Sequence, residues 1–244
     1  MKKYLLALLF LCTSAFADCD HLLPWGYPIV HKQTVALCQI AFFTSWNPDT
    51  KNPDFSAELL LLENVSGIEN RKGIFKPHPN IPPEIQASNR DYSKSGYDRG
   101  HLAPAGDMRK DSAAMEQSFY LTNMAPQRPG LNRVDWAQLE SFVRKHVYAD
   151  RPLYVITGPI YIGSPKVIGN NVWVPSYFYK IIYDKNANAV SAYVMPNIDE
   201  VTGNINSYRV NLQQIEAATG IEFFPLMPVE YRKSLRQLRL DDVR

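Results

Sequence analysis

Stretches of apolar residues along this chain, taken by their period, mark out strands and helices in mixed order. Val35–Trp46 is dense in apolar and aromatic residues and reads as a strand; Ala57–Val65 reads as a second, buried at its centre. Residues 66–97 hold many Pro, Asn, Gly and Ser residues and predict a long irregular connection. A loop of that length in a compact domain is usually functional. Leu131 to Tyr148 contains no Pro or Gly, and Trp136, Leu139, Phe142, Val143 and Val147 recur at helical spacing. A helix is therefore predicted to begin near Asn132, just past Pro129 and Gly130. Leu153–Tyr161, Val172–Asp184 and Val190–Met195 read as further strands. Val210–Thr219 reads as a helix stopped by Gly220, and a last helix is predicted from Pro228 to about Leu238. The order lacks regular βαβ alternation, which predicts an α+β fold with a mostly antiparallel central sheet and flanking helices.

The first residues alter how much of the chain enters that fold. Lys2 and Lys3 precede an apolar run from Leu5 to Phe16, and Ala15-Phe16-Ala17 supplies a small-x-small cleavage pattern. The run is too short for a membrane span of ~20 apolar residues. We read residues 1–17 as a signal peptide cleaved after Ala17, with the product periplasmic or secreted and not membrane-bound. Residues 18–244 then form a single domain, and 45% hydrophobic content is enough for one substantial core. Residues 1–17 hold two of the 26 basic residues and none of the 24 acidic ones, so the cleaved chain is close to neutral. A polyanion would have to be held by a local basic surface. Cys12 leaves with the signal, and the remaining Cys19 and Cys38 predict one disulfide in an oxidising compartment.

The candidate chemistry is concentrated between Tyr97 and Tyr148. The run Asp98-Arg99-Gly100-His101 is followed by Thr122-Asn123-Met124-Ala125-Pro126-Gln127, then Leu131-Asn132-Arg133, then Glu140. A histidine with pKa near ~6.5 can take a proton from water at neutral pH, and the glycine before His101 permits close backbone approach. A lone histidine is more often structural, and His21, His31, His78 and His146 are read that way. Asn132 suits a helix cap, and Glu140, eight residues on, lies about two turns along the same side.

Together these segments resemble the DNA/RNA non-specific endonuclease family, whose signature is the DRGH motif, within the ββα-metal nucleases. Thr157-Gly158-Pro159, Tyr179-Lys180, Pro196-Asn197 and Phe223-Phe224-Pro225 extend the resemblance over roughly Cys38 to Pro225. The resemblance implies a ββα-metal active-site motif and metal-dependent endonuclease activity on DNA and RNA. His101 would be the general base and Asn132 the direct ligand of Mg²⁺, or of Mn²⁺ in its place. A metal with one neutral ligand needs acids to hold its waters, which assigns Glu140 to the metal through water. Arg99 and Asn123 would join His101 and Glu140 as catalytic residues, Asn123 fixing the geometry near His101; Arg71, Arg144 and Asp98 would bind substrate, the arginines meeting phosphate or neutralising charge and Asp98 in support. Where the family pattern has an acidic residue, this chain has His78, which loosens the match around Arg71. Arg109, Lys110, Arg128 and Arg133 would extend a phosphate track, or be solvated surface. Arg232, Lys233, Arg236 and Arg239 read as a solvated helix face. The products implied are 5′-phosphate and 3′-hydroxyl ends. The competing readings are an exported nucleic-acid binder without catalysis, and a phosphodiesterase of the same fold with a smaller substrate.

Overall fold

In the computed structural model, which describes residues 19–149 and 151–235, a seven-stranded sheet divides the molecule into two layers. Its strands are β1 (Val35–Cys38), β2 (Phe43–Asn47), β3 (Asn52–Leu60), β6 (Leu153–Ile160), β9 (Tyr177–Asp184), β10 (Ala189–Pro196) and β11 (Arg209–Val210), neighbours in that order. All of these pairings are antiparallel. The predicted α+β class with a mostly antiparallel sheet is what is found.

Side-chain alternation gives each central strand two apolar faces. On one face Phe55, Ile156, Ile181 and Val190 pack with Leu212 and Ile215 of helix α5 (Leu212–Thr219). This helix starts on a reciprocal cap: Gln214 N donates to Asn211 Oδ1 and Asn211 N to Gln214 Oε1, each at 2.9 Å. It stops where Gly220 takes φ +69°, a conformation that favours glycine. On the other face Val155, Phe178 and Ile182 meet Trp136, Leu139, Val143 and Val147 of helix α4 (Trp136–Tyr148). The spacing that predicted this helix is the spacing it buries.

β3 and β6 are hydrogen-bonded neighbours, with Leu60 opposite Leu153. Everything between them, residues 61–152, leaves the sheet and returns to it one strand away. That excursion carries α1 (Leu62–Ser66), α2 (Asn89–Tyr92), β4 (Asp98–His101), α3 (Ser112–Ser118), β5 (Met124–Gln127) and α4. β4 and β5 form a separate antiparallel ribbon in which His101 faces Met124 and Gly100 faces Ala125. Two strands followed by a helix are thus laid on one face of the sheet.

Several boundaries differ from those read in the sequence. Val35–Trp46 is a hairpin of β1 and β2, because residues 39–42 turn back, with Gln39 N bonded to Phe42 O. Ala57–Val65 is strand only to Leu60 and then helix α1, which buries Val65. Val172–Asp184 is broken at residues 174–176 between β8 (Val172–Trp173), paired to β7 (Val167–Ile168), and β9. The last helix, α6, is Val229–Leu235, and its predicted extension to Leu238 lies outside the described residues, as do the proposed signal segment, Cys12, Arg236 and Arg239. Cys19 and Cys38 form a disulfide that ties the first described residue to β1.

Candidate active site

His101 closes strand β4 and is pressed between two aromatic rings. Its imidazole lies 5.6 Å from Phe75 and 5.0 Å from Phe119, edge-on to the latter. Nε2 is buried with no hydrogen-bond partner among the described residues. Burial, helped by the Arg71 guanidinium, lowers its pKa to about 3, so the ring is neutral at neutral pH. Gly100 is required beside it, since a Cβ there would stand 2.2 Å from Gln127 Oε1 across the ribbon. Arg99 spreads over Phe75 and Tyr92, at 5.0 and 5.3 Å, and donates to Asn89 O at 3.2 Å. Arg71 is exposed, with its guanidinium carbon 5.7 Å from the Phe119 ring.

Asn132 sits in a π-helical turn, Leu131–Asp135, that opens into α4. Such wide turns recur at functional sites. Its Nδ2 donates to Asp98 Oδ2 at 2.9 Å, while Arg133 grips the same carboxylate with bonds of 2.9 and 2.8 Å. Burial works against ionisation of Asp98, but the bonds from Arg133 and Asn132 hold its pKa below the usual value. The turn itself is anchored by Asp135, whose carboxylate accepts from Thr202 N, Gly203 N and Tyr208 Oη.

Glu140 and Arg144 continue along α4. Arg144 donates to Asp107 Oδ1 at 2.9 Å and lies 3.9 Å from Glu140. Burial raises the Glu140 pKa to about 7, with Lys180 and Arg144 opposing and Asp107 adding to the shift. Arg71 acts on both His101 and Glu140, which puts the two within one electrostatic neighbourhood.

The sheet beneath contributes residues to which sequence reasoning assigned no role. Thr44, Ser56, Thr157 and Lys180 are cross-strand partners in one row. Lys180 is 1% exposed, donates to Thr157 Oγ1 at 2.6 Å and lies 5.0 Å over the Trp136 ring. Glu58, two residues along β3 from Ser56, is buried with Oε2 unpartnered among the described residues, and burial pushes its pKa well up. Burial draws Lys180 down, opposed by Glu140, Glu58 and Asp107. Three carboxyls, Glu58, Asp107 and Glu140, thus act on the two cations Arg144 and Lys180. A lysine at the centre of an apolar strand, as in residues 177–183, was the available signal.

Two assignments change. Asn123, expected among the catalytic residues, is fully buried and spends its amide inside the protein: Oδ1 accepts from Ser56 Oγ and Ala103 N, and Nδ2 donates to the carbonyls of Ala103 and Ser118. It fixes the strand end that carries His101 and has nothing left for substrate. Asp98, expected to bind substrate, is a carboxylate already holding Asn132 and Arg133, so it orients rather than binds phosphate.

The model of the DNA/RNA non-specific endonuclease family matches residues 22–230. The chain belongs to that family. It is 36% identical over 208 residues to nuclease C1 of Cunninghamella echinulata var. echinulata, spanning 78% of this chain and 82% of that one. It is 34% identical over 222 residues to the human mitochondrial nuclease EXOG, spanning 82% of this chain but 59% of that one. Among solved structures, a chain in the crystal structure of the EndoG/EndoGI complex superposes with a TM-score of 0.81 at 31% identity, covering 91% of this chain and 96% of that chain. The protein is accordingly a nuclease, a phosphodiester hydrolase acting on nucleic acid, with the ββα arrangement of its family.

In this nuclease each of the four track candidates already has a partner. Arg128 pairs with Asp199 and stacks on Tyr97. Arg133 is taken by Asp98. Arg109 donates to Glu69 O at 3.3 Å and Lys110 meets Glu63 at 2.5 Å, both beside α1. Among the described residues of the nuclease no group of three or more His, Cys, Asp or Glu side chains is placed to hold a metal ion. The donor set that remains is an amide and a carboxylate.

Proposed function

We propose that this nuclease is an exported, Mg²⁺-dependent endonuclease that cuts both DNA and RNA without sequence preference. The carrying observation is His101: a neutral imidazole at the ribbon's end, beside Arg71 and Arg99. The residues present fit a hard cation that keeps most of its waters. With Nδ2 committed to Asp98, Asn132 has Oδ1 free of any hydrogen bond among the described residues, and Glu140 offers a largely buried carboxylate for water. Mg²⁺ bound there would supply positive charge at the phosphoryl oxygens and the departing 3′-oxygen.

The chain's own groups do the rest. Nε2 of His101 is enclosed, so the proton of the attacking water is taken at Nδ1. Phe75 and Phe119 hold the ring edge and exclude bulk water around it. Arg71 and Arg99 meet the phosphate; once the phosphate neutralises Arg71, part of the field that depresses His101 is lifted and the base strengthens. Contacts to phosphate carry no direct sequence information, which supports low selectivity. Breakage of the P–O3′ bond leaves 5′-phosphate and 3′-hydroxyl ends. Export is supported by the basic, apolar and small-x-small segments of residues 1–17 and by the Cys19–Cys38 disulfide. The decisive experiment digests plasmid and total RNA with Mg²⁺ or EDTA, with His101→Ala alongside. Metal-dependent loss of both substrates, abolished in the variant, is the expected result; intact nucleic acid under every metal overturns the reading.

A further inference from the structure

Lys180 is a charge in the middle of an apolar strand, flanked on its own face by Phe178 and Ile182. Burying an ammonium is costly, and buried ion pairs are poor contributors to stability. Its presence therefore asks for another role, and its contacts indicate one. The Lys180 Nζ is seated between Thr157 Oγ1 at 2.6 Å and the ring of Trp136 at 5.0 Å. Trp136 is the first residue of α4, four residues after Asn132 and four before Glu140. Residues so spaced share one side of the helix.

The indole has little else to fix it. Trp136 Nε1 is buried and has no hydrogen-bond partner among the described residues, although a buried indole N–H normally finds one. Its packing against Phe178, tilted at 5.8 Å, is apolar. The ammonium over the ring face is the charged contact to the indole. The opposite side of the same turn is already anchored, through Asp135 and the segment Thr202–Tyr208.

We propose that Lys180 is a positioning residue for hydrolysis: through the Trp136 ring it sets the rotation of the helix that presents Asn132 and Glu140. The Asp135 anchor fixes where the helix begins; the Lys180 seat fixes which way it faces. This rests on the reading of Asn132 and Glu140 as the pair that holds the metal. A guanidinium in place of the ammonium would keep the charge but not the compact seat, so K180R should recover only part of the function.

The test is Mn²⁺ binding to the purified protein, followed by electron paramagnetic resonance without substrate, together with steady-state cleavage. K180M should weaken Mn²⁺ binding by about 10-fold to 100-fold, as loss of an orienting partner does. It should lower kcat while leaving KM for nucleic acid unchanged. W136F should weaken Mn²⁺ binding in the same direction, and the K180M/W136F double variant should be no weaker than K180M alone. Additive losses would overturn the route through Trp136. A folded K180M with wild-type Mn²⁺ affinity and kcat would overturn the proposal outright. Should K180M fail to fold, T157V, which removes only the hydroxyl seat, must weaken Mn²⁺ binding, and wild-type affinity there overturns it. A wild-type protein that neither binds Mn²⁺ nor cleaves would overturn the functional reading beneath; one that does both while the variants match it overturns this inference alone.

Discussion

Asn132 donates its amide N–H to Asp98 at 2.9 Å, so a residue on the catalytic ribbon dictates which way an amide on the helix turn presents its oxygen. Asp98→Ala should release that amide to rotate and leave Arg133 without its partner. We expect metal affinity to fall about 10-fold or more, measured by calorimetric titration with Mn²⁺, with little change in thermal midpoint because the pair is partly exposed. An unaltered affinity would show that Asn132 is oriented by something other than Asp98.

His101 should titrate far below an ordinary histidine. Burial is the first cause and Arg71 the second, so Arg71→Gln should raise its pKa from about 3 while leaving it below 6.5. Ring ¹⁵N shifts against pH report this directly. The same depression has a stability consequence. Between about 3 and 6.5 the unfolded chain binds a proton at this site that the folded chain refuses, so stability falls as pH drops through that window. His101→Asn should lessen the acid sensitivity; a steeper acid transition in the variant would contradict the assignment.

Glu140 shifts the other way. With its pKa raised to about 7, a proton competes with any cation that needs the carboxylate ionised. Apparent metal affinity should therefore drop about tenfold for each pH unit below about 7 and level off above it. Glu140→Gln should bind metal more weakly with that pH slope removed. A slope that survives in the variant would locate the competing proton elsewhere.

Asn123 predicts a loss of stability rather than of chemistry. Asn123→Ala strands Ala103 N and O and the carbonyl of Ser118 in a buried place. The expected cost is about 3 kcal/mol, or roughly 6 to 12 °C in thermal midpoint for a chain of this size. At temperatures where the variant stays folded, metal affinity should be near normal. Cys19→Ser or Cys38→Ser should cost a similar ~3 kcal/mol by freeing the unfolded chain.

How far the sequence discloses these relationships depends on whether neighbours in space are neighbours in the chain. The α4 helix was legible because its apolar residues repeat at its own period, and His101, Asn132 and Glu140 because they stand at characteristic separations. The turn between β1 and β2 was hidden because Gln39 to Phe42 is itself mostly apolar. The parts played by Glu58, Lys180 and Thr157 were hidden for a different reason: they depend on cross-strand register, and Lys180 meets Trp136 across 44 positions of chain. Asn123 was read as fixing the geometry near His101, and only its burial shows that this takes up its whole amide.

The excursion of residues 61–152 from one strand to its hydrogen-bonded neighbour bears on when in its own synthesis this protein becomes able to cut nucleic acid. His101, Asn132 and Glu140 are all translated before Leu153, the residue that must pair with Leu60 to shut the excursion. Contacts so distant in sequence form late, after the entropy of a long loop has been lost. A ribosome-bound chain is therefore expected to carry His101, Asn132 and Glu140 yet stay inert until β6 has docked, which a series of arrested chains ending on either side of Ile160 would reveal by the length at which cleavage first appears. The topology would serve as a built-in delay, placing cleavage after the sheet has closed.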